Sequence, residues 1–289
     1  MQRSGPLFGA VRLQNGRRSQ ALENYWTVLQ MKNHLESQGT GLLMGINAFE
    51  PYIYKMHQDF DAGAFKDWPT VVLATTLQAS AVSLFKVLPP LDNPSEMLDK
   101  RSIASLVRNL VDTHDVVEML VTSNSEEEWT LHRDILGLYI SSRIHKVQNL
   151  ITPEEAQKLF PHTKSWYWNR IRSSSLFNKK MSRLKDGEQI FYRSRRERVE
   201  LACGGNTDFV LAVLTDLSSF VHSLPVQLWF GDEKKLYSNT KKNQDMVAVW
   251  LRVANFYLAR SFGKIMACAS YKVSKEMNQF TNRFQSAFD

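Results

Sequence analysis

Cysteine is scarce: Cys203 and Cys268 are the only two in 289 residues, far apart and matching no zinc or redox spacing. That leaves no thiolate metal site or redox pair and fits a reducing compartment. Long hydrophobic runs are missing too. The most apolar segment, residues 71–88, is interrupted by Thr75, Thr76, Gln78, Ser80, Ser83 and Lys86, whereas a membrane span wants about 20 predominantly apolar residues. The segment reads as a buried bundle helix, and no membrane span is expected. The opening MQRSGPLFGAVRLQNGRR has no apolar stretch long enough for a signal peptide, so a cytoplasmic location is expected.

Strand signals are equally lacking. No window alternates apolar and polar residues over a strand length, and Asn15-Gly16 and Asp186-Gly187 lie in polar surroundings rather than between apolar runs. There is no internal repeat, no low-complexity tract, no Walker A loop, no Gly-x-Ser-x-Gly and no His-Glu-x-x-His. Glu-x-x-His pairs, the mark of di-iron bundles, do not occur, and His34, His57, His145 and His162 show no metal-ligand spacing. Neither a metal nor a cofactor is predicted.

What remains is helical periodicity, and the chain is predicted to be an all-α bundle of about eight to ten helices. Residues 1–40 read as an N-terminal arm with a first helix, 21–37, and residues 41–289 as one helical domain. Gly39, Gly41 and Gly45 in GTGLLMG do not fit the dinucleotide spacing and read as a helix stop and restart. Further helices are predicted over 42–60, 68–88, 126–149, 153–160, 165–185, 188–201, 207–224 and 241–284, the last with a bend at Gly263. Ser125 with Glu128, and Thr152-Pro153 with Glu155, carry the capping-box pattern.

The most legible stretch runs from Pro94 to Thr122. Asn93 suits an N-cap, Pro94 the first helical position, and Glu96 can reach back to the cap. Ile103, Val107, Leu110, Val117 and Val121 then line one side, with His114 within that stripe, while Arg108, Asp112 and Asp115 fall on the other.

Arg108, Asn109 and His114 form an Arg-polar-x(4)-His string that resembles the motif of the HEPN superfamily, all-helical proteins that include many metal-independent ribonucleases. The resemblance implies cleavage through the ribose 2′-hydroxyl, with His114 as acid or base, Arg108 as phosphate clamp and Asn109 as an orienting group. It also implies a bacterial toxin or phage-defence setting, with a homodimer and an antitoxin or defence partner. An imidazole can trade protons near neutrality and a guanidinium offers a fixed fork to phosphate. On a straight helix, however, six positions at about 100° each leave the two side chains roughly 120° apart. They meet only across a kink or between paired protomers. The structural alternative is an exposed Arg108–Asp112 pair at i,i+4 with His114 a satisfied core histidine.

A second likeness uses the same arginine. The chain is similar to a broad group of bacterial helical proteins in which an arginine precedes an acid by four residues and a later helix ends in Ser-x-x-x-His. Arg108 and Asp112 match the first element, Ser218 and His222 the second. Asp stands here for the group's usual Glu. Such a set reads as a buried polar network bonded internally. His132, Tyr139 and Arg143 share one side of the 126–149 helix and read either as the lining of the same pocket or as a polar edge.

Charge supplies the remaining signal. The net charge is +7, yet residues 164–198 alone hold eleven cations against three acids, or +8, so the rest sums to −1. Within this segment Arg170, Arg172, Lys179, Lys180, Arg193, Arg195, Arg196 and Arg198 are interleaved with Trp166, Tyr167, Trp168, Phe177, Phe191 and Tyr192. Bases stack on aromatic rings while guanidinium groups take phosphates, so the pattern suits RNA or another single strand. A solvated basic face, rings buried in the bundle, or attraction to acidic lipid would give the same composition. Two functions therefore stand: an RNA-acting helical protein of the ribonuclease kind, or a non-enzymatic interaction or nucleic-acid-binding module with a structural polar cluster.

Overall fold

A computed structural model describes residues 35–64, 67–89, 97–147, 162–221 and 238–285. Among these residues the protein is an all-α bundle without a strand. Its helices are α1 (Leu35–Asp61), α2 (Trp68–Lys86), α3 (Lys100–Val121), α4 (Glu126–Val147), α5 (Lys164–Ser173), α6 (Arg195–Cys203), α7 (Thr207–Val221), α8 (Lys241–Cys268) and α9 (Lys275–Gln285). A 3₁₀ helix, Lys179–Leu184, lies between α5 and α6.

The axis of the bundle is α8. From Val247 to Met266 it is buried nearly all round, including Trp250, Phe256, Tyr257 and Phe262. Such a helix must be surrounded by others, and α3 and α1 pack along it while α2 and α7 close over α3. Two of its polar side chains donate inside the core. Asn255 Nδ2 donates to Gln38 O at 3.0 Å, and Trp250 Nε1 donates to Asp216 Oδ2 at 3.0 Å. A second, smaller cluster joins Met119 and Leu120 at the end of α3 to Leu131, Ile135 and Leu138 of α4, Ile171 of α5, and Met181 and Leu184 of the 3₁₀ helix. The basic segment thus stands on its own patch of core. Among the described residues no helix is long and apolar enough to cross a membrane.

Several predicted boundaries move. Helix α3 is capped by Asp99, whose Oδ1 accepts from the N–H groups of Arg101 and Ser102 at 3.1 Å each. The predicted start at Asn93-Pro94 lies outside the described residues, and residues 97–99 are not helical. Gly39, Gly41 and Gly45 do not stop a helix, because α1 runs through all three. Gly41 and Gly45 clear space for α9: a Cβ on Gly41 would fall 2.9 Å from Phe284 Cε2, and one on Gly45 would fall 2.5 Å from Phe280 Cζ.

The helix predicted over 165–185 ends at Ser173. Here Glu127 of α4 draws the chain away by accepting from Ser175 N at 3.1 Å and Ser175 Oγ at 2.5 Å. The helix predicted over 188–201 starts at Arg195, where Ser194 and Glu197 form a reciprocal capping box. Helix α8 passes Gly263 unbroken, and the turn before α9 falls at Ala269–Ser274, with Ser270 at φ 54°. At α4, Ser125 Oγ accepts from Glu128 N at 3.1 Å, as the capping pattern predicts, while Glu128 Oε2 accepts from Asn124 N at 2.8 Å. The predicted helix 153–160 and most of 21–37 lie outside the described residues.

Candidate nucleic-acid interface

Helix α3 turns its charged side toward α6 and α7, and those contacts decide what each candidate residue can do. Arg108 Nε donates to Asp112 Oδ2 at 3.4 Å, and Arg108 Nη1 donates to Ser218 Oγ on α7. Ser218 Oγ in turn donates to Leu214 O at 2.7 Å. Arg195 Nη2 of α6 approaches Asp112 Oδ1 at 4.0 Å. The structure therefore brings Arg108, Asp112, Ser218 and Arg195 into one partly exposed polar cluster. His222 lies outside the described residues.

His114 faces the other way. Its ring is 1% exposed, its Nδ1 lies 2.8 Å from Ser261 Oγ of α8, and it meets the Tyr257 ring edge-on at 4.8 Å between centroids. Nε2 points toward Glu118 Oε2 at 3.7 Å, beyond hydrogen-bond range. Burial, reinforced by the nearby positive charges of Arg260 and Lys264, pushes the imidazole pKa down to about 3. Near neutrality this histidine is uncharged and out of reach of solvent. Asn109 is exposed. Within one chain, then, Arg108 and His114 have separate neighbours and share no approach to a phosphodiester.

His132 and Tyr139 do not join the Arg108 cluster either. His132 is buried, with Nδ1 3.1 Å from Ser123 Oγ and its ring near Tyr192, and burial lowers its pKa. Tyr139 lies under the Arg143 guanidinium, 4.3 Å from its ring centroid, and Arg143 Nη2 donates to Glu188 O at 3.3 Å.

The side of α3 expected to be open is covered by α6 at Asp115, while Arg108 and Asp112 stay partly exposed. Asp115 is 7% exposed and accepts from Arg198 Nε at 2.6 Å. Burial pushes its carboxyl up to about 6, against the opposing pull of Arg198. Glu118 is paired with Lys264 at 2.8 Å. Neither partnership was readable beforehand, because the residues involved are distant in sequence. The available signal was the i, i+3 spacing of acids along α3, which offers a periodic set of sites to basic residues elsewhere.

The same folding-back consumes much of the basic segment's charge. Arg170 pairs with Asp134 at 2.8 Å, Arg196 with Asp208 at 2.8 Å, and Lys180 with Glu197. Several rings are also committed to packing: Tyr167, Trp168, Phe177 and Phe191 lie against the smaller core, whereas Tyr192 packs there in part and also lines an open groove. Arg198 covers Phe191 at 4.1 Å and Arg170 covers Trp166 at 4.8 Å. Lys164, Arg172, Lys179, Arg183 and Lys185 remain exposed, with no ion pair among the described residues. Half-exposed Arg193 lies 5.4 Å from the Tyr192 ring.

Between the 3₁₀ helix and α6 an open groove of about 690 Å³ is lined by Lys179, Lys180, Tyr192 and Arg193, with Glu197, Glu200 and Leu201 along the α6 wall. The sequence pattern marked its cations and its tyrosine, but not its carboxylates or Leu201. Among the described residues no three His, Cys, Asp or Glu side chains are grouped to hold a metal ion. No family model, curated protein or solved structure matches this chain.

Proposed function

We propose that the protein is a helical module that binds single-stranded nucleic acid through the surface between α5 and α6, and that its buried polar residues are structural. The supporting observation is the set of cations left over once the internal ion pairs are formed. Lys164, Arg172, Lys179, Arg183, Lys185 and Arg193 all belong to this one segment, and Tyr192 lies among them. Cations held beside a ring on a rigid support offer phosphate attraction and a stacking surface together.

In this reading Arg108, Asp112 and Ser218 tie α3 to α7, and His114 ties α3 to α8. None of them is asked to meet substrate. Binding of a fluorescently labelled single-stranded oligonucleotide at low salt tests the proposal. The charge-reversed pair Arg172→Glu and Lys185→Glu should weaken binding severalfold in a chain of unchanged helicity. RNA incubated with purified protein and a chelator should stay intact. Chelator-resistant cleavage that disappears in His114→Ala would replace this reading with the ribonuclease.

A further inference from the structure

The groove between the 3₁₀ helix and α6 has a lining too mixed for a simple ligand. Tyr192 and Leu201 give it an apolar floor, and Leu201 is 51% exposed. Lys179 and Arg193 are uncommitted to any carboxylate among the described residues, whereas Lys180 is held by Glu197. Glu197 is kept ionised by that lysine and by the backbone of its own cap. Glu200 adds a second exposed carboxylate on the same wall.

Each simple class of ligand fails against part of this lining. A small inorganic anion would leave the apolar floor uncovered and face two carboxylates. An aliphatic ligand would strip water from Lys179 and Arg193 without replacing it, which is costly. A cation would meet those same two residues. The complementary shape is a flat ring for Tyr192, an anionic group for Lys179 and Arg193, and hydroxyl donors for a carboxylate. A ribonucleotide unit carries all three, and the groove volume falls in the range of roughly 300–1,000 Å³ typical of small-ligand sites.

Building on the nucleic-acid reading above, we propose that this groove holds one nucleotide of an RNA strand. Its base lies against Tyr192, its phosphate between Lys179 and Arg193, and its 2′-hydroxyl donates to Glu200. Deoxyribose lacks that hydroxyl, so the groove is a device for preferring RNA over DNA.

The test compares a labelled single-stranded RNA with the DNA of matching sequence by fluorescence anisotropy, using the full chain. Wild type should bind the RNA about three- to tenfold more tightly, the worth of one hydrogen bond. Tyr192→Ala should weaken both strands about tenfold, and Tyr192→Phe should retain binding because stacking needs only the ring. Glu200→Ala should bring the RNA-to-DNA ratio close to one. Lys179→Ala, an exposed change that leaves folding intact, should weaken both strands about threefold. Circular dichroism establishes that each variant is folded. If Glu200→Ala, Lys179→Ala and Tyr192→Ala all match wild type on both strands with no RNA preference, while Arg172→Glu weakens binding, the groove proposal is overturned and the general interface survives. If wild type binds neither strand at low salt, the interface and the groove fall together.

Discussion

Asp115 and His114 are adjacent in the chain, both buried, and perturbed by the same cause with opposite consequences for stability. Burial disfavours the charged form of each, lowering the histidine pKa from 6.5 to about 3 and raising the aspartate pKa from 3.8 to about 6. As pH falls below 6.5, the unfolded chain protonates its histidine while the folded chain does not, so stability is lost down to about 3. Between about 6 and 3.8 the folded chain protonates Asp115 before the unfolded chain does, so stability is gained as pH falls. In that window the two effects oppose. His114→Gln should therefore make the melting temperature rise, or fall less than wild type, on acidification from pH 7 to about 4. Asp115→Asn should make the fall steeper, with the histidine then acting unopposed at about 3 kcal/mol near pH 4. Thermal melts across this range check both. Parallel wild-type and His114→Gln profiles would mean that the imidazole does not stay neutral inside the bundle.

At the scale of the helix, legibility depended on whether the deciding partner was near in sequence. The apolar stripe of α3 (Ile103, Val107, Leu110 and Val117) is buried as its periodicity required, because periodicity is local. The Ser125 cap is likewise settled within one turn. The ends of α5 and α1 were misread for the opposite reason. Glu127 ends α5 from another helix, and Gly41 and Gly45 of α1 answer to phenylalanines of α9 more than two hundred residues away. Glycine in mid-helix signals a stop when only its propensity is weighed; here close approach overrides propensity. The difference is measurable. Gly45→Ala places a methyl 2.5 Å from Phe280 Cζ, against a ring with no exposed surface, and should destabilise by about 1–3 kcal/mol. Adding Phe280→Leu should recover part of that loss. Gly39→Ala meets only Leu88 Cδ1 at 3.5 Å, an ordinary contact, so the gain in helix propensity should make it neutral or stabilising by up to about 1 kcal/mol. Urea denaturation orders the three variants. Equal destabilisation at Gly39 and Gly45 would show that α9 does not sit against α1 as described.

Over the whole molecule, the +8 of residues 164–198 was plain in the sequence, but its availability was not, since Asp112, Asp115, Asp134 and Asp208 claim four of its arginines from elsewhere in the chain. The candidate site was legible to the same extent: Lys179, Arg193 and Tyr192 belong to the basic-aromatic pattern, whereas the carboxylates beside them gained meaning only once α6 faced the 3₁₀ helix. Salt dependence separates nominal from usable charge. For a single strand, the slope of log affinity against log salt is about −0.7 for each phosphate neutralised. If all eleven cations of the segment met phosphates the slope would approach about −8, whereas the six left outside ion pairs should give about −4. The slope for wild type should therefore be near −4, and Arg172→Ala should lower its magnitude by about 0.7. Arg196→Ala should leave it nearly unchanged, because that guanidinium is paired with Asp208. A wild-type slope near −8, or an Arg196→Ala effect equal to that of Arg172→Ala, would mean that the internal ion pairs open when the strand arrives.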